Sequence, residues 1–491
     1  MLFNSLEFII FLPIVFLLYW FVFENDFRIQ NLLLLISSYI FYGWWDWRFL
    51  SLIFLSTLVD YFVGLKIYNS RETKVKKIYL CLSILFNLSL LGFFKYFNFF
   101  IDSWISLISI LGYENQITWT LKVVLPIGIS FYTFQTMSYS LDIYYKKIKP
   151  TKDFITFASF ISFFPQLIAG PIERASNLLP QLLIERKFKY QQGIEGLQLI
   201  IWGMFKKVIV ADSLAWRVDY CFDNYQILDG GVLLLGLIYF SFQIYCDFSG
   251  YSDIAIGTAK LFGIELMSNF NFPYFSRNIA EFWRRWHISL SSWFKDYLYI
   301  PMGGSKNGKW LTVRNVLIIF IISGFWHGAN WTFIVWGLSH AFLYLPLLLL
   351  TKNRSYRNDI VAINSNFPSV KEFFNILVTY LLTTLSWAFF RGDSISESFQ
   401  YLILLFTKFS IPSENKGGII LVFVFVMLDW TIRRNEREPL IYDLNIHKLN
   451  KKVTYLINTV FLFFSIFLIT AFALYHSYYS IDAKNFIYFQ F

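Results

Sequence analysis

Two Trp-His pairs, Trp286-His287 and Trp326-His327, are the residues of this sequence best suited to chemistry. A histidine has an ordinary pKa of about 6.5, so its neutral imidazole can take a proton from a hydroxyl group near neutral pH. His327 follows an apolar run that begins at Val316. An ionisable side chain deep in a membrane is costly unless it faces a cavity or a polar partner. The sequence therefore makes His327 a candidate functional residue and His287 a second candidate.

Each histidine also has a structural explanation. His327 lies in a Ser-Gly and Gly-Ala break, where a helix-end carbonyl would satisfy its ring and where Asn330 is expected to cap the next helix. His287 lies in the amphipathic segment 281–309, which mixes charges with aromatic residues as segments at a membrane surface do. A metal site formed with His340 would lack a carboxylate or cysteine at a known spacing, so we predict no bound metal.

The elements that hold these residues are expected to be membrane-spanning helices. Of the 491 residues, 56% are hydrophobic and 22% aromatic, above the apolar share of a soluble domain. Continuous apolar runs recur along the chain, which predicts an all-α polytopic membrane protein with about 11–12 spans. We expect a single transmembrane domain over residues 1–491, with its core motifs at 121–350. The predicted spans are 6–23, 31–43, 50–68, 78–101, 121–144, 193–211, 232–249, 311–326, 331–350, 373–390, 418–432 and 457–475.

The net charge of +10 indicates basic cytoplasmic loops and not a nucleic-acid partner, because Lys and Arg accumulate on the cytoplasmic side of membrane proteins. Basic clusters at 69–77, 146–152 and 352–357 all fall on that side if the N-terminus is outside. Lys206 and Lys207 fall toward the outer end of the sixth span and disagree with this orientation. We therefore expect these two lysines to snorkel or to face a cavity.

Residues 154–183 do not form a simple span, because basic clusters flank both ends and Pro165, Gly170, Pro171 and Pro180 are expected to break the helix. A segment that enters and leaves the membrane on one face explains both facts. Broken backbone at membrane depth requires surrounding protein or a water-filled cavity, so the break would line a site. Two interfacial helices joined by a proline turn explain the same pattern equally well.

Carboxylates near the end of the span 232–249 are further candidates. Gln243 and Asp247 are four residues apart and share one helix face, where they are expected to line a cavity beside the reacting groups. Asp253 follows a Gly-Tyr-Ser turn and is better explained as a helix cap. Asp247 is nearer the apolar run and is expected to have a specific partner.

The two Trp-His pairs belong to longer motifs, NFPYFSRNIAEFWRRWHISLSSWFKDYLYIPMGG at 271–304 and SGFWHGANWTFIVWG at 323–337. Three further motifs precede them in order: LPIGISFYTFQTMSYSLDIYY at 125–145, FFPQLIAGPIERASNLLPQL at 163–182 and FQIYCDFSGYSDIAIGTAKLFG at 242–263. Together with the opening of the chain and its ending, NFIYFQF, these motifs resemble the membrane-bound O-acyltransferase (MBOAT) family, in its bacterial alginate O-acetyltransferase-like branch.

The resemblance implies a fold and a set of site residues. The fold is a ring of tilted helices with re-entrant segments. His327 is implied as the catalytic residue and His287 as a supporting residue, and whether His327 acts as a base or carries the acyl group stays open. We expect substrate-binding groups at Trp286, Asn330, Asp247, Glu173 and Arg174.

The resemblance also implies an activity. A multi-pass protein of the bacterial plasma (inner) membrane would move an acetyl group from a cytoplasmic thioester, such as acetyl-CoA, toward a cell-envelope polysaccharide, either an alginate-like exopolysaccharide or peptidoglycan. Because only short loops lie outside, we expect an extracytoplasmic acetyltransferase partner, besides membrane lipid, and no bound cofactor. A D-alanyl transferase of the teichoic-acid type stays open. So does a transporter of lipid-linked sugars, since transporters also have many spans and broken helices.

Overall fold

In the structure, a computed structural model, the described residues form helices joined by turns and irregular stretches, with no strand among them. Within the described part of the chain, six helical stretches are long and apolar enough to cross a membrane, and two shorter apolar ones, Leu6–Val22 and Gly418–Ile432, accompany them. The prediction of an all-α polytopic membrane protein is therefore confirmed. The predicted span 457–475 and the ending at 485–491 lie outside the described residues. The described residues are 1–24, 26–112, 120–121, 123–306, 308–357 and 359–434.

The helices belong to two compact units, Met1–Lys189 with Phe262–Leu266, and Tyr190–Leu261 with the chain from Met267 onward. That the family motifs form a single domain stays a prediction. The first unit contains α1 Leu6–Leu17, α2 Phe27–Asp46, α3 Leu50–Asn69, α4 Thr73–Leu91, α5 Phe97–Ile110, α6 Ile129–Tyr144, α7 Phe154–Ser162, α8 Phe164–Leu167 and α9 Ala175–Leu182.

A buried carboxylate joins three helices of the first unit. Asp60 of α3 accepts hydrogen bonds from Ser83 at 2.5 Å and Asn87 at 2.6 Å, both on α4, and from Ser140 of α6 at 2.7 Å. Buried polar groups need such partners, and these bonds fix the three helices relative to one another. The predicted span 121–144 begins as a helix only at α6, because Pro126 and Gly128, with φ of +77°, hold the preceding residues out of helical geometry.

The segment 154–183 is broken, as predicted. It forms α7, the single turn α8 with Pro165 in its first turn, an irregular stretch that contains Gly170 and Pro171, and α9. The prediction for Pro180 is wrong, since this residue lies inside α9. The helix has only eight residues, and a proline in so short a helix removes few internal hydrogen bonds. Entry and exit of the segment on one membrane face stay a prediction.

The second unit holds both Trp-His pairs. Within the described chain its helices are α10 Tyr190–Met204, α11 Asp212–Asp223, α12 Gly230–Leu261, α13 Ile279–Arg285, α14 Ile288–Phe294, α15 Lys309–His327, α16 Trp331–Leu349, α17 Val370–Arg391, α18 Ile395–Thr407 and α19 Gly418–Ile432.

Glycines bring the backbones of α10 and α12 into direct contact. A Cβ added at Gly203 would meet the carbonyl oxygen of Gly250 at 2.5 Å, and one added at Gly196 would meet that of Gly257 at 2.6 Å. Small residues allow this approach between membrane helices. The predicted turn at Gly250 is therefore wrong: α12 continues to Leu261, and the glycine serves helix packing.

Five charged side chains form what we call the lysine–aspartate cluster between α10, α11 and α12. Lys207 lies 2.8 Å from both Asp212 and Asp247, and Lys206 lies 2.5 Å from Asp253. Both lysines are buried, so the expectation that they snorkel is wrong. Asp253 does not cap a helix end, because it lies within α12 and pairs with Lys206. The prediction of a specific partner for Asp247 is confirmed.

The hairpin of α15 and α16 is packed as closely as α10 and α12. Gly324 of α15 and Gly337 of α16 each leave no room for a Cβ, since the main chain of the other helix lies against them. Asn330 caps α16 by accepting a hydrogen bond from Thr332 N, which confirms the predicted cap. The close hairpin brings the end of α15, where His327 lies, against the side chains of α16.

Candidate active site

His327 is the last residue of α15, and its side chain is only 2% exposed. Its ring lies 5.1 Å from that of Trp336 on α16 and 5.5 Å from that of Phe390 on α17, measured between ring centres. The ring of Trp326 lies 5.0 Å away. His327 thus lies at the end of a helix, and aromatic side chains from three helices surround its ring.

His287 lies between α13 and α14 with φ of +43°, in the left-handed region that residues other than glycine seldom adopt. Main-chain hydrogen bonds hold this turn: Ile288 N donates to Asn269 O at 2.8 Å, and Asn271 N donates to Arg285 O at 2.9 Å. The side chain is completely buried within the protein, and its location at the membrane interface stays a prediction. Strained backbone of this kind persists where the surroundings enforce it, often at functional sites.

The structure brings the two sequence-predicted histidines together. Their ring centres are 6.1 Å apart, and the ring of Trp326 lies 5.7 Å from that of His287. We call His287 and His327 the histidine pair. The two motifs at 271–304 and 323–337 thus supply one buried centre with two imidazole groups.

Asn269 orients the ring of His287, since its Oδ1 lies 2.9 Å from His287 Nδ1. Burial lowers the pKa of His287 to about 3. The imidazole is therefore neutral near neutral pH, and a neutral ring is the form that can accept a proton. Sequence reasoning missed Asn269, because its contact depends on the left-handed turn at His287, for which the sequence carries no signal.

Trp286 forms part of an aromatic wall next to the histidine pair. Its side chain is completely buried, and its ring lies 5.2 Å from that of Trp387, which in turn stacks on Trp336 at 5.5 Å. Trp336 contacts the ring of His327 directly. In the structure Trp286 packs against other aromatic rings, and its predicted role in substrate binding stays a prediction.

A third buried histidine, His340, lies one turn after Trp336 on α16 and contacts its ring at 5.0 Å. Its Nε2 lies 2.9 Å from Ser386 Oγ, and Ser386 donates its own hydroxyl proton to Thr383 O at 2.6 Å. His340 Nε2 must therefore be the donor, which gives this histidine a structural partner. Among the described residues, no group of three or more His, Cys, Asp or Glu could hold a metal ion.

The basic residues at the start of segment 281–309 largely make ion pairs or hydrogen bonds with other groups of the protein. The buried carboxylate of Glu281 pairs with Arg277 and with Arg285, both at 3.0 Å. Arg284 donates to two main-chain carbonyl oxygens, those of Asn353 at 2.9 Å and of Ser355 at 2.7 Å. These arginines fix α13, and thereby the turn that carries His287, instead of forming a free basic surface.

Of the other predicted substrate-binding residues, Asn330 and Asp247 belong to the second unit. The amide oxygen of Asn330 caps α16, and its Nδ2 donates to Asp393 O at 3.0 Å, so both ends of the amide are engaged. Asp247 is bound to Lys207 in the lysine–aspartate cluster. Both residues have partners within the protein, and their predicted role in substrate binding stays a prediction.

Glu173 and Arg174 belong to the first unit, in the break of segment 154–183. Glu173 is completely buried and accepts a hydrogen bond from Asn177 at 2.7 Å, which spans the first turn of α9. Arg174 is the residue that precedes α9 and is half-buried. Their predicted role in substrate binding stays a prediction.

Fold and site together define a class: a multi-pass membrane protein with a buried pair of histidines at the end of one apolar helix and in a strained turn. The sequence profile of the MBOAT, or membrane-bound O-acyltransferase, family matches residues 85–364. The chain belongs to this family and is a membrane O-acyltransferase. Both residues of the histidine pair lie within the matched range.

Individual relatives agree with this assignment. The chain is 36% identical over 452 residues to the probable alginate O-acetylase of Azotobacter vinelandii, covering 90% of this chain and 87% of the relative. It is 37% identical over 431 residues to the peptidoglycan O-acetyltransferase of Helicobacter pylori, covering 82% and 79%. The teichoic acid D-alanyltransferase of Bacillus subtilis is 31% identical over 247 residues, only 47% of this chain and 61% of the relative.

Proposed function

We propose that this protein transfers an acetyl group from a thioester donor such as acetyl-CoA toward a polysaccharide of the cell envelope. The observation that carries the proposal is the buried histidine pair in a chain similar over most of its length to alginate and peptidoglycan O-acetyltransferases. The similarity to the D-alanyltransferase of Bacillus subtilis covers 47% of the chain, against 90% and 82% for the two acetyltransferases, so acetyl is the better choice of acyl group. The transporter alternative is dropped, because the family is one of acyltransferases.

In the reaction that we propose, His327 acts as the general base. Its neutral imidazole takes the proton of an acceptor hydroxyl, and the hydroxyl oxygen forms a bond to the carbonyl carbon of the thioester. The bond between this carbon and sulfur breaks, and the thiolate that leaves takes the proton from the imidazole. His287 supports this step from 6.1 Å away, and the surrounding aromatic wall keeps water from competing with the acceptor.

Direction follows from chemistry and from the membrane. Activated thioesters are made in the cytoplasm, whereas envelope polysaccharides are modified outside the plasma membrane, in which we propose the protein resides. Moving a whole charged donor through hydrocarbon is far more costly than passing a two-carbon acyl group. We propose that the donor binds on the cytoplasmic side, and that an extracytoplasmic acetyltransferase partner completes transfer to the polysaccharide.

The test uses the full-length protein in sealed vesicles of known orientation, with labelled acetyl-CoA on one side only. Donor on the cytoplasmic side is expected to give acetyl transfer to acceptor on the opposite side, and the partner protein is expected to be needed when the acceptor is polysaccharide. Equal turnover with donor supplied only on the extracytoplasmic side would contradict the direction. Efficient polysaccharide acetylation without any partner would contradict the second step.

A further inference from the structure

Asn269 contacts three consecutive residues, His287, Ile288 and Ser289, and we call this set of hydrogen bonds the clamp. Its main-chain oxygen accepts from Ile288 N at 2.8 Å. Its side-chain Oδ1 accepts from Ser289 N at 3.3 Å and from Ser289 Oγ at 2.9 Å, and it lies 2.9 Å from His287 Nδ1. Asn269 is 1% exposed, so water does not compete for these contacts. The clamp is part of the folded core of the second unit.

The direction of each hydrogen bond in the clamp follows from one fixed donor. The main-chain N–H of Ser289 can only donate, so the atom of Asn269 that faces it must be the amide oxygen. The amide nitrogen then points the other way, where it donates to Ser252 Oγ of α12 at 3.1 Å. Because the amide oxygen can only accept, the hydrogen bond from His287 must be made by a protonated Nδ1.

We propose that Asn269 is a positioning residue of the acyl transfer reaction, which holds His287 in the tautomer protonated at Nδ1, so that Nε2 is the unprotonated nitrogen of this supporting residue. The inference rests on the proposed role of His287 in the reaction. The hydrogen bond made by one ring nitrogen sets which nitrogen of a histidine carries the proton, and around metal-bound histidines changing such a partner typically costs about 10- to 100-fold in activity.

The surroundings of His287 allow the effect of Asn269 to be isolated. The ring contacts Phe248 of α12 at 4.7 Å, Phe270 at 6.5 Å, Trp326 at 5.7 Å and His327 at 6.1 Å. Of these ring neighbours, only His327 has an ionisable side chain. The carboxylates that α12 carries on either side of Phe248 are bound to lysines in the lysine–aspartate cluster.

The decisive variant is Asn269→Asp, which keeps the shape and the accepting oxygen but adds a negative charge beside Nδ1–H. A carboxylate there favours the protonated imidazole, so the pKa of His287 rises. The neutral ring is the active form. When the pH is lowered, the variant therefore loses activity at a higher pH than the wild type does. Isolated membranes that contain the full chain, with acetyl-CoA as the probe, are assayed over a pH series for acetyl transferred to polysaccharide. The acid limb of the profile is expected to move to higher pH, with near-normal transfer on its alkaline side.

Asn269→Leu removes the accepting oxygen and is expected to lower kcat about 10- to 100-fold at every pH, with the folded protein recovered in normal amount. The matched control is Asn271→Leu in the same loop, because the side chain of Asn271 bonds Arg285 and not His287. This control is expected to keep the wild-type pH profile.

The results separate this inference from the proposed function. If the Asn269→Asp profile coincides with that of the wild type, or if folded Asn269→Leu has wild-type kcat, Asn269 does not set the tautomer. A large loss in His287→Ala alongside either result would leave the proposed function standing. If His287→Ala and His327→Ala are both fully active, the proposed function itself fails.

Discussion

The histidine pair and the lysine–aspartate cluster are two buried polar groups of the same unit with opposite characters. In the cluster each lysine lies within 2.8 Å of a carboxylate, so the positive charge of each lysine is compensated by a neighbouring negative charge. In the pair, each imidazole lies mainly among aromatic rings, with Trp326 in contact with both. Charges that are fully paired resist any change of protonation, whereas a neutral imidazole can gain a proton when a reaction supplies one.

Two consecutive residues of α12 contact the lysine–aspartate cluster and the histidine pair, respectively. Asp247 pairs with Lys207, and Phe248 packs edge-on against His287 at 4.7 Å. The same helix therefore carries an ion pair on one face and the aromatic neighbour of His287 on another. A shift of the helix that broke the ion pairs would also displace Phe248. We therefore propose that the histidine pair carries out the chemistry and that the lysine–aspartate cluster gives mechanical support.

The largest expected effect on activity comes from His327→Ala. Loss of a general base typically costs 10²- to 10⁴-fold, and we expect about a thousandfold loss of acetyl transfer. Measurement compares esterified acetate on envelope polysaccharide between cells with equal membrane levels of each form. His340→Gln is the matched control, since this buried histidine is bonded to Ser386 and is expected to keep most activity. Near-wild-type ester content in His327→Ala would contradict the assignment of the chemistry to the histidine pair.

His287→Ala is expected to have a smaller effect, about 10- to 100-fold, because this residue supports the base without replacing it. The same cells and the same ester assay give the ratio of the two variants. A greater loss in His287→Ala than in His327→Ala would reverse the roles that we assign to the pair.

The smallest effect on activity per folded molecule is expected for Lys207→Met. Removing one partner of a buried ion pair typically costs about 3–5 kcal/mol of stability, because Asp212 and Asp247 would keep uncompensated charge. Thermal unfolding in detergent should show that loss, and adding Asp247→Asn should recover part of it. The folded fraction is expected to transfer acetyl at the wild-type rate. A selective loss of kcat with unchanged unfolding temperature would make the cluster part of the chemistry.

Motifs of the sequence were sufficient to predict the class of fold, the two candidate histidines and the cap at Asn330. Apolar runs specify membrane helices because an unpaired backbone is too costly in lipid, and the Asn330 cap is a local signal. Sequence reasoning failed at Gly250, where a glycine that serves close packing was taken for a turn. It failed again at Lys206, because a lysine next to an aspartate of another helix cannot be recognised from its own neighbours in the chain.

The sequence by itself determined which residues are candidates for the chemistry, since only a few ionisable side chains occur in or near the apolar runs. Tertiary structure decided their arrangement: it buried His287, turned its backbone to φ of +43° and brought its ring to 6.1 Å from that of His327. It also supplied Asn269, whose hydrogen bonds fix the ring. These features depend on contacts between segments distant along the chain, and such contacts are set by packing, not by local propensity.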